Sequence, residues 1–294
     1  MKTALLLMTC LLLLSDTATA GPAARNSEPG AASQTAKQAA AGQPRKTLVI
    51  CGSGDSQNLL RHLAAAYMAS QPDMGIDVPD SIGSGGGIKA TAAGKCDLGR
   101  VARPLKENEK QLNLGYLLFA HSPVVFVVNR SVTGVSSITG GQVAGIFSGA
   151  ITLWSELGGP QAKIYVANRE KGDSSRTIIE QHLPLFNAIG KPVGQTLYTT
   201  PENVAAISRY RHTIGYASLA EAKNQPDIVV LRFDNVSPER ENVRKGTYKL
   251  IAPLGLVWKD EPGPEVKNFI DFLYTPAAEK IMADHGAFSA LTTR

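Results

Sequence analysis

Between Thr47 and Ala102 one pattern recurs: a short apolar run, a loop of small residues, then a helix-like stretch. Thr47 to Cys51 is a continuous apolar run, as expected for a strand buried on both faces. It opens into Gly52-Ser53-Gly54-Asp55-Ser56, after which Leu59, Leu60, Leu63 and Tyr67 recur at helical spacing and Pro72 lies just past the end. A second strand-like run, Gly75 to Ile82, leads through Gly83-Ser84-Gly85-Gly86-Gly87 into the small-residue helix Ile88 to Ala93. A third strand runs from Cys96 to Ala102. Such alternation requires a parallel sheet, with ligands expected at the carboxyl ends of its strands. Both loops fall at that edge, and so does Arg103, which follows the third strand.

The glycine loop is suited to an anion. Glycines allow a turn with positive φ and leave no Cβ in a ligand's way. A helix starting there presents unpaired N–H groups and the positive end of its dipole. The bare alternative is a strand-to-helix turn with nothing bound. Arg169 to Arg176 is a third loop between a strand and a helix, with Ser174 and Ser175 at the helix start and Arg169 supplying a planar charged fork. Asp173 is an acceptor where an anion site prefers donors. It either caps the helix or accepts a proton from a partly protonated oxyanion; Asp55 faces the same two readings. Arg103 reads as a solvated arginine or a ligand, and Lys89 as solvated.

Tyr116 to Asn129 is long for one strand and holds His121-Ser122-Pro123 in its middle, which suits a segment crossing between lobes. Leu250 to Lys259, broken by Pro253, reads as the return. Two crossings make a discontinuous first lobe, residues 46–124 with 249–294, and a continuous second, residues 125–248, with a cleft between. At 294 residues and 43% hydrophobic content the chain can fill both.

Residues 1–20 read as an export signal: Lys2, an apolar core from Ala4 to Leu14 too short to span a bilayer, then Ala18-Thr19-Ala20. Cys10 lies inside that core, which argues against a lipid-modified N-terminus. Residues 21–45 are rich in Ala, Gly, Ser and Gln and read as a flexible leader. Of the net charge of +5, residues 21–46 carry +3 and the signal none, leaving +2 on the folded body. That balance gives no footprint for nucleic acid. Export permits a disulfide, but Cys51 ends one strand and Cys96 begins another, so in a parallel pair they are expected at opposite ends as two separate buried thiols. His62 and His121 have no metal-ligand spacing, and no nucleophile with a base partner is visible. Neither cofactor nor metal is expected, and a secreted hydrolase is the weakest reading.

Three segments carry a resemblance: Gly83 to Ala90 with Gly94 to Gly99 and Ala102 to Glu109; Val143 to Gly159 (VAGIFSGAITLWSELGG); and Val166 to Arg176 (VANREKGDSSR). In this order they resemble the phosphate-binding proteins, the periplasmic receptors of phosphate ABC transporters. The likeness runs over nearly everything from Leu48 to the C-terminus, with Ile146 to Gly159 its most specific part. The resemblance implies a bilobal α/β receptor, monomeric and periplasmic, that closes on one phosphate ion and delivers it to an ABC permease. It implies Ser56 and the backbone of Gln57 from the first loop, Ser84 and the backbone of Gly85 from the second, and Arg169, Asp173, Ser174 and Ser175 from the third. Family members commonly have serine-glycine-threonine at Asp173-Ser174-Ser175. Some have serine at Gly85, and some have serine-aspartate at Ala102-Arg103, where the aspartate accepts the phosphate proton. Arg103 reverses that charge, so Asp173 or Asp55 is expected to take over as acceptor, balanced by Arg103. Two alternatives keep the fold: another tetrahedral oxyanion as ligand, or a phosphate-binding role in signalling or surface attachment.

Overall fold

Residues 46–291 are described by a computed structural model. The expected export signal and flexible leader, residues 1–45, lie outside the described residues. In chain order the elements begin with β1 (Lys46–Gly52), α1 (Gln57–Ser70), β2 (Met74–Asp77), α2 (Gly83–Ala92), β3 (Leu98–Val101), the short α3 (Glu107–Lys110) and β4 (Gly115–Asn129). Next come β5 (Ser137–Ile138), α4 (Gly140–Ser148), β6 (Tyr165–Arg169), α5 (Ser174–His182), α6 (Pro184–Asn187), β7 (Gln195–Leu197), α7 (Thr200–Arg209), β8 (Thr213–Ser218) and α8 (Leu219–Ala222). The chain ends with β9 (Ile228–Val230), β10 (Arg232–Phe233), α9 (Arg240–Arg244), β11 (Ile251–Trp258), α10 (Pro264–Phe272), α11 (Pro276–Asp284) and β12 (Phe288–Ser289).

The main sheet runs β2-β1-β3-β11-β4-β8-β6-β7. β1 pairs in parallel with β2 and β3, as the repeated strand–loop–helix pattern requires. β6 pairs in parallel with β7 and β8 at the other end. Between them β4 changes partner: Gly115 to Pro123 lies against β11, and Val124 to Val128 against β8. Val124 to Val128 are fully buried, so the middle of this long strand is core on both faces. β11, expected as a return crossing, pairs with β3 and β4. The fold is α/β, one sheet in two halves that share a strand. At its carboxyl edges the sheet leaves the starts of α2 and α5.

The cysteines correct an expectation. Cys51 and Cys96 form a disulfide, with Cα atoms 6.1 Å apart. The expectation assumed that β1 and β3 run side by side over their full length. Instead only the end of β1, Ile50 to Gly52, pairs with the beginning of β3, Leu98 to Arg100. The ladder sets Cys51 opposite Gly99; Cys96 lies two residues before β3, outside that ladder, and the turn that enters β3 carries it within bridging range of Cys51. The segment Val143 to Gly159 supplies packing: Phe147 and Trp154 are fully buried, and the Trp154 indole donates to His212 O at 2.9 Å.

Candidate functional site

The first half of the sheet reaches the site through two backbone loops. β1 ends at Gly52 with φ 136°, where a Cβ would lie 2.2 Å from Arg100 O, so only glycine fits. The chain then makes a tight 3₁₀ turn over Gly54–Ser56 before α1. The stretch expected as a second loop, Gly83 to Gly87, is instead the start of α2, which begins five residues before the expected Ile88, and its glycines serve mainly close packing. Gly87 carries α2 onto the strand ends: a Cβ there would meet Gly52 Cα at 2.7 Å and Cys51 O at 3.0 Å. Gly83 alone of the five loop residues takes a positive φ, 72°. Gly85 is open on its Cβ side, with Arg103 Nη2 the only neighbour, at 3.8 Å. No side chain caps α2, and helix geometry leaves the Ser84 and Gly85 N–H groups without an intrahelical acceptor.

Both loops are held from below by Arg100, a β3 residue that is 0% exposed. Its guanidinium donates to Ile50 O, to Ser53 O at 2.6 Å, to Pro79 O at 2.7 Å and to Gln57 Oε1 at 3.1 Å. Burial lowers this guanidinium to about 10, still charged at neutral pH.

The second half supplies charge. β6 ends at Arg169, whose main chain is fixed on both sides. Its N–H donates to the Tyr216 hydroxyl at 3.2 Å, and its carbonyl accepts from Arg176 Nη1 at 2.8 Å. The Arg169 guanidinium, 4% exposed, meets Asp173 Oδ2 at 2.9 Å, donates to Thr200 Oγ1 at 2.8 Å and pairs with Glu170. Burial alone would lower this guanidinium, but Asp173, Glu170 and Asp55 together hold it above its ordinary value. Asp173 caps α5 by accepting from Arg176 N at 2.9 Å, which leaves the Ser174 and Ser175 N–H groups at an open helix start.

The two helix starts face each other: Ser84 Oγ and Ser174 Oγ lie 3.1 Å apart. Around them is a cavity of about 260 Å³. Of the residues expected as ligands, Ser84, Gly85, Arg103, Arg169, Asp173 and Ser174 line it, together with Ser53, Ser81, Lys106, Glu170 and Thr200. Ser56, Gln57 and Ser175 are buried and do not line it. The Gln57 N–H donates to Gly54 O, and the Ser56 hydroxyl is buried without a partner. Ser175 Oγ donates to Asp55 Oδ1 at 3.1 Å.

The expected balance between Arg103 and an acidic acceptor takes another form. Arg103 is spoken for by Glu109, donating from both terminal nitrogens to both carboxylate oxygens at 2.7 Å. That fork holds Glu109 below the usual carboxylate range. Asp173 has Arg169 as its cation instead. Burial and the nearby Asp55 carboxylate push the Asp173 carboxyl up to about 7. Burial likewise raises Asp55, against the pull of Arg169, Thr200 and Ser175. Among the described residues no cluster of three or more His, Cys, Asp or Glu side chains could hold a metal ion.

Three contributors escape the sequence reading. Arg100 sits inside an apolar strand run, where nothing signals that its side chain will brace two loops. Thr200 belongs to a Thr-Thr-Pro-Glu helix start, visible as a capping box at Thr199 but without any anion signature. Glu109 follows Arg103 closely enough to have been paired with it, and that signal was available.

Residues 34–277 match the sequence profile of the PBP superfamily domain. The phosphate-binding protein PstS of Bacillus subtilis (strain 168) is 26% identical over 286 residues, 96% of this chain and 91% of that protein. The crystal structure of a protein assigned as a phosphate ABC transporter substrate-binding protein, with bound phosphate, from Clostridium perfringens superposes with a TM-score of 0.71 at 26% identity, covering 84% of this chain and 100% of that one. An ABC-type phosphate transport receptor from Vibrio cholerae gives a TM-score of 0.58 at 25% identity, covering 82% and 99%. Matched over most of its length and similar throughout to phosphate-binding proteins, the chain belongs to the PBP superfamily.

Proposed function

We propose that this protein is an exported, monomeric receptor that binds inorganic phosphate between two lobes and delivers it to an ABC permease in the periplasm. The lobes are residues 46–124 with 249–294, and residues 125–248. The observation that carries the reading is the meeting of two helix starts, one from each half, across a cavity that also holds a buried arginine. Open N–H groups and hydroxyls at both helices supply donors, and Arg169 supplies charge. The kinship with phosphate-binding proteins agrees with this chemistry. The protein acts by binding, not catalysis: closure gives a liganded shape that a permease can recognise.

Asp173 is the acceptor in this reading. Its two oxygens each hold one partner, which leaves lone pairs for a ligand hydroxyl. A phosphate oxygen still carrying a proton can donate to it, and fully ionised sulfate cannot. Selectivity then follows because the wrong anion leaves a buried acceptor unpaired.

Calorimetric titration of the mature protein with phosphate, then sulfate, tests the assignment. Tight phosphate binding with little response to sulfate is expected, and Asp173→Ala should narrow the gap between the two ions. Unchanged selectivity in the variant removes Asp173 from the role. No phosphate binding by folded, ligand-free protein discards phosphate as the ligand and favours another oxyanion on the same fold.

A further inference from the structure

The carboxylate of Asp55 is placed as a ligand would be. It comes from the first half of the sheet yet is held wholly by donors from the second. Oδ1 accepts from Ser175 Oγ at the start of α5, at 3.1 Å, and from Thr200 Oγ1 at the start of α7, at 3.0 Å. The Asp55 main-chain carbonyl accepts from Ser218 Oγ at 2.6 Å. Thr200 is the same hydroxyl that receives Arg169 Nη1. The turn carrying Asp55 is seated tightly, since a Cβ at Gly54 would lie 2.8 Å from Pro201 Cδ.

A carboxylate at two helix starts, one hydroxyl away from an arginine, has the surroundings of a bound oxyanion. Two further observations show that this fit is incomplete. Asp55 Oδ2 is buried without a hydrogen-bond partner, and so is the neighbouring Ser56 hydroxyl. Asp55 is 1% exposed and Ser56 0%, so neither deficit is made good by bulk water. A larger oxyanion, with oxygens in more directions, could satisfy groups that a two-oxygen carboxylate leaves empty. The charged groups facing this carboxylate are Arg169, Glu170, Asp173 and Glu221, and only the first attracts it.

We infer that Asp55 is a tethered competitor: its carboxylate occupies Ser175 and Thr200 while the site is empty and must give them up when an external oxyanion binds. The inference rests on the phosphate reading for the identity of that oxyanion, and it gives Asp55 a part in setting affinity. The empty protein closes on its own side chain, and the ligand gains only the difference between itself and that side chain.

Two measurements test this. Small-angle scattering of ligand-free protein should find the wild type as compact as the phosphate-bound form and Asp55→Ala more open. Calorimetry with inorganic phosphate should find binding by Asp55→Ala tighter by about tenfold, the effect expected when the competent state rises from about a tenth of the population to nearly all of it. Asp55→Asn keeps the shape and loses the charge. It should shift affinity in the same direction, and it carries the test if the alanine variant does not fold. A wild type already open without ligand, or phosphate binding no tighter in either variant, overturns the competitor. A compact wild type and an open alanine variant, neither of which binds phosphate, would support the tethered contact while overturning phosphate as the ligand.

Discussion

The two sides of the cavity are built from different materials. The α2 side presents backbone and hydroxyl donors from a glycine-rich start, and its one lining arginine, Arg103, is already matched by Glu109. The α5 side presents Arg169 with Asp173 and Glu170 around it. On the proposed phosphate reading, neutral donors pressed against a sheet edge fix where the anion sits, and charged groups sharing one guanidinium decide which anion is accepted. That reading divides position and choice between the halves of the sheet.

Arg169→Ala should give the largest effect. It removes the buried cation on the choosing side, and phosphate affinity should fall at least about thirtyfold by calorimetry, in line with the 2–5 kcal/mol cost of truncating a buried charge pair. A loss of less than about fivefold would move the charge function elsewhere and break the division. On the positioning side, Gly87→Ala drives a Cβ into Gly52 Cα and Cys51 O, both backbone. Overpacking of this kind costs about 1–3 kcal/mol, partly offset by alanine's better helix propensity of about 1 kcal/mol. Denaturant midpoints should fall accordingly, and a neutral result would show that α2 can lift without loss.

The pH-dependent effect lies at the seam between the halves. Glu221 on α8 accepts from Asn58 N at 2.7 Å, and burial raises its carboxyl to about 8 from an ordinary 4.5. Because the folded state favours the neutral form, this group's contribution to stability is intact below pH 4.5 and is lost as pH rises through 8. Glu221→Gln should therefore melt higher than the wild type at pH 8 and nearly level with it near pH 4.5. Equal melting temperatures at both values would show that the seam tolerates the charge.

Much of this arrangement could be read in the sequence because it rests on local chemistry. Apolar runs ending in glycine and serine marked β1 and α2, and Pro123 within a long apolar run marked β4 as a strand serving two regions. Arg169 and Ser174 were placed because a charged, small-residue loop between strand and helix has few other uses. What escaped depended on register or on distant partners. The disulfide turned on the path of the turn that enters β3, which composition does not encode. Arg100 looked like one polar residue in a buried strand, and its four acceptors lie between 21 and 50 positions away. Ser175 was foreseen at a helix start, but its partner Asp55 lies 120 positions away.

β4 has a consequence for how the molecule holds together under load. It is bonded to β11 and β12 along one stretch and to β8 and β9 along the next. Excising either half would strip one stretch of its neighbours and leave a row of bare amides and carbonyls. The strand acts as a common girder: its partners change at Pro123, and neither half can be lifted out as a free-standing module without baring it.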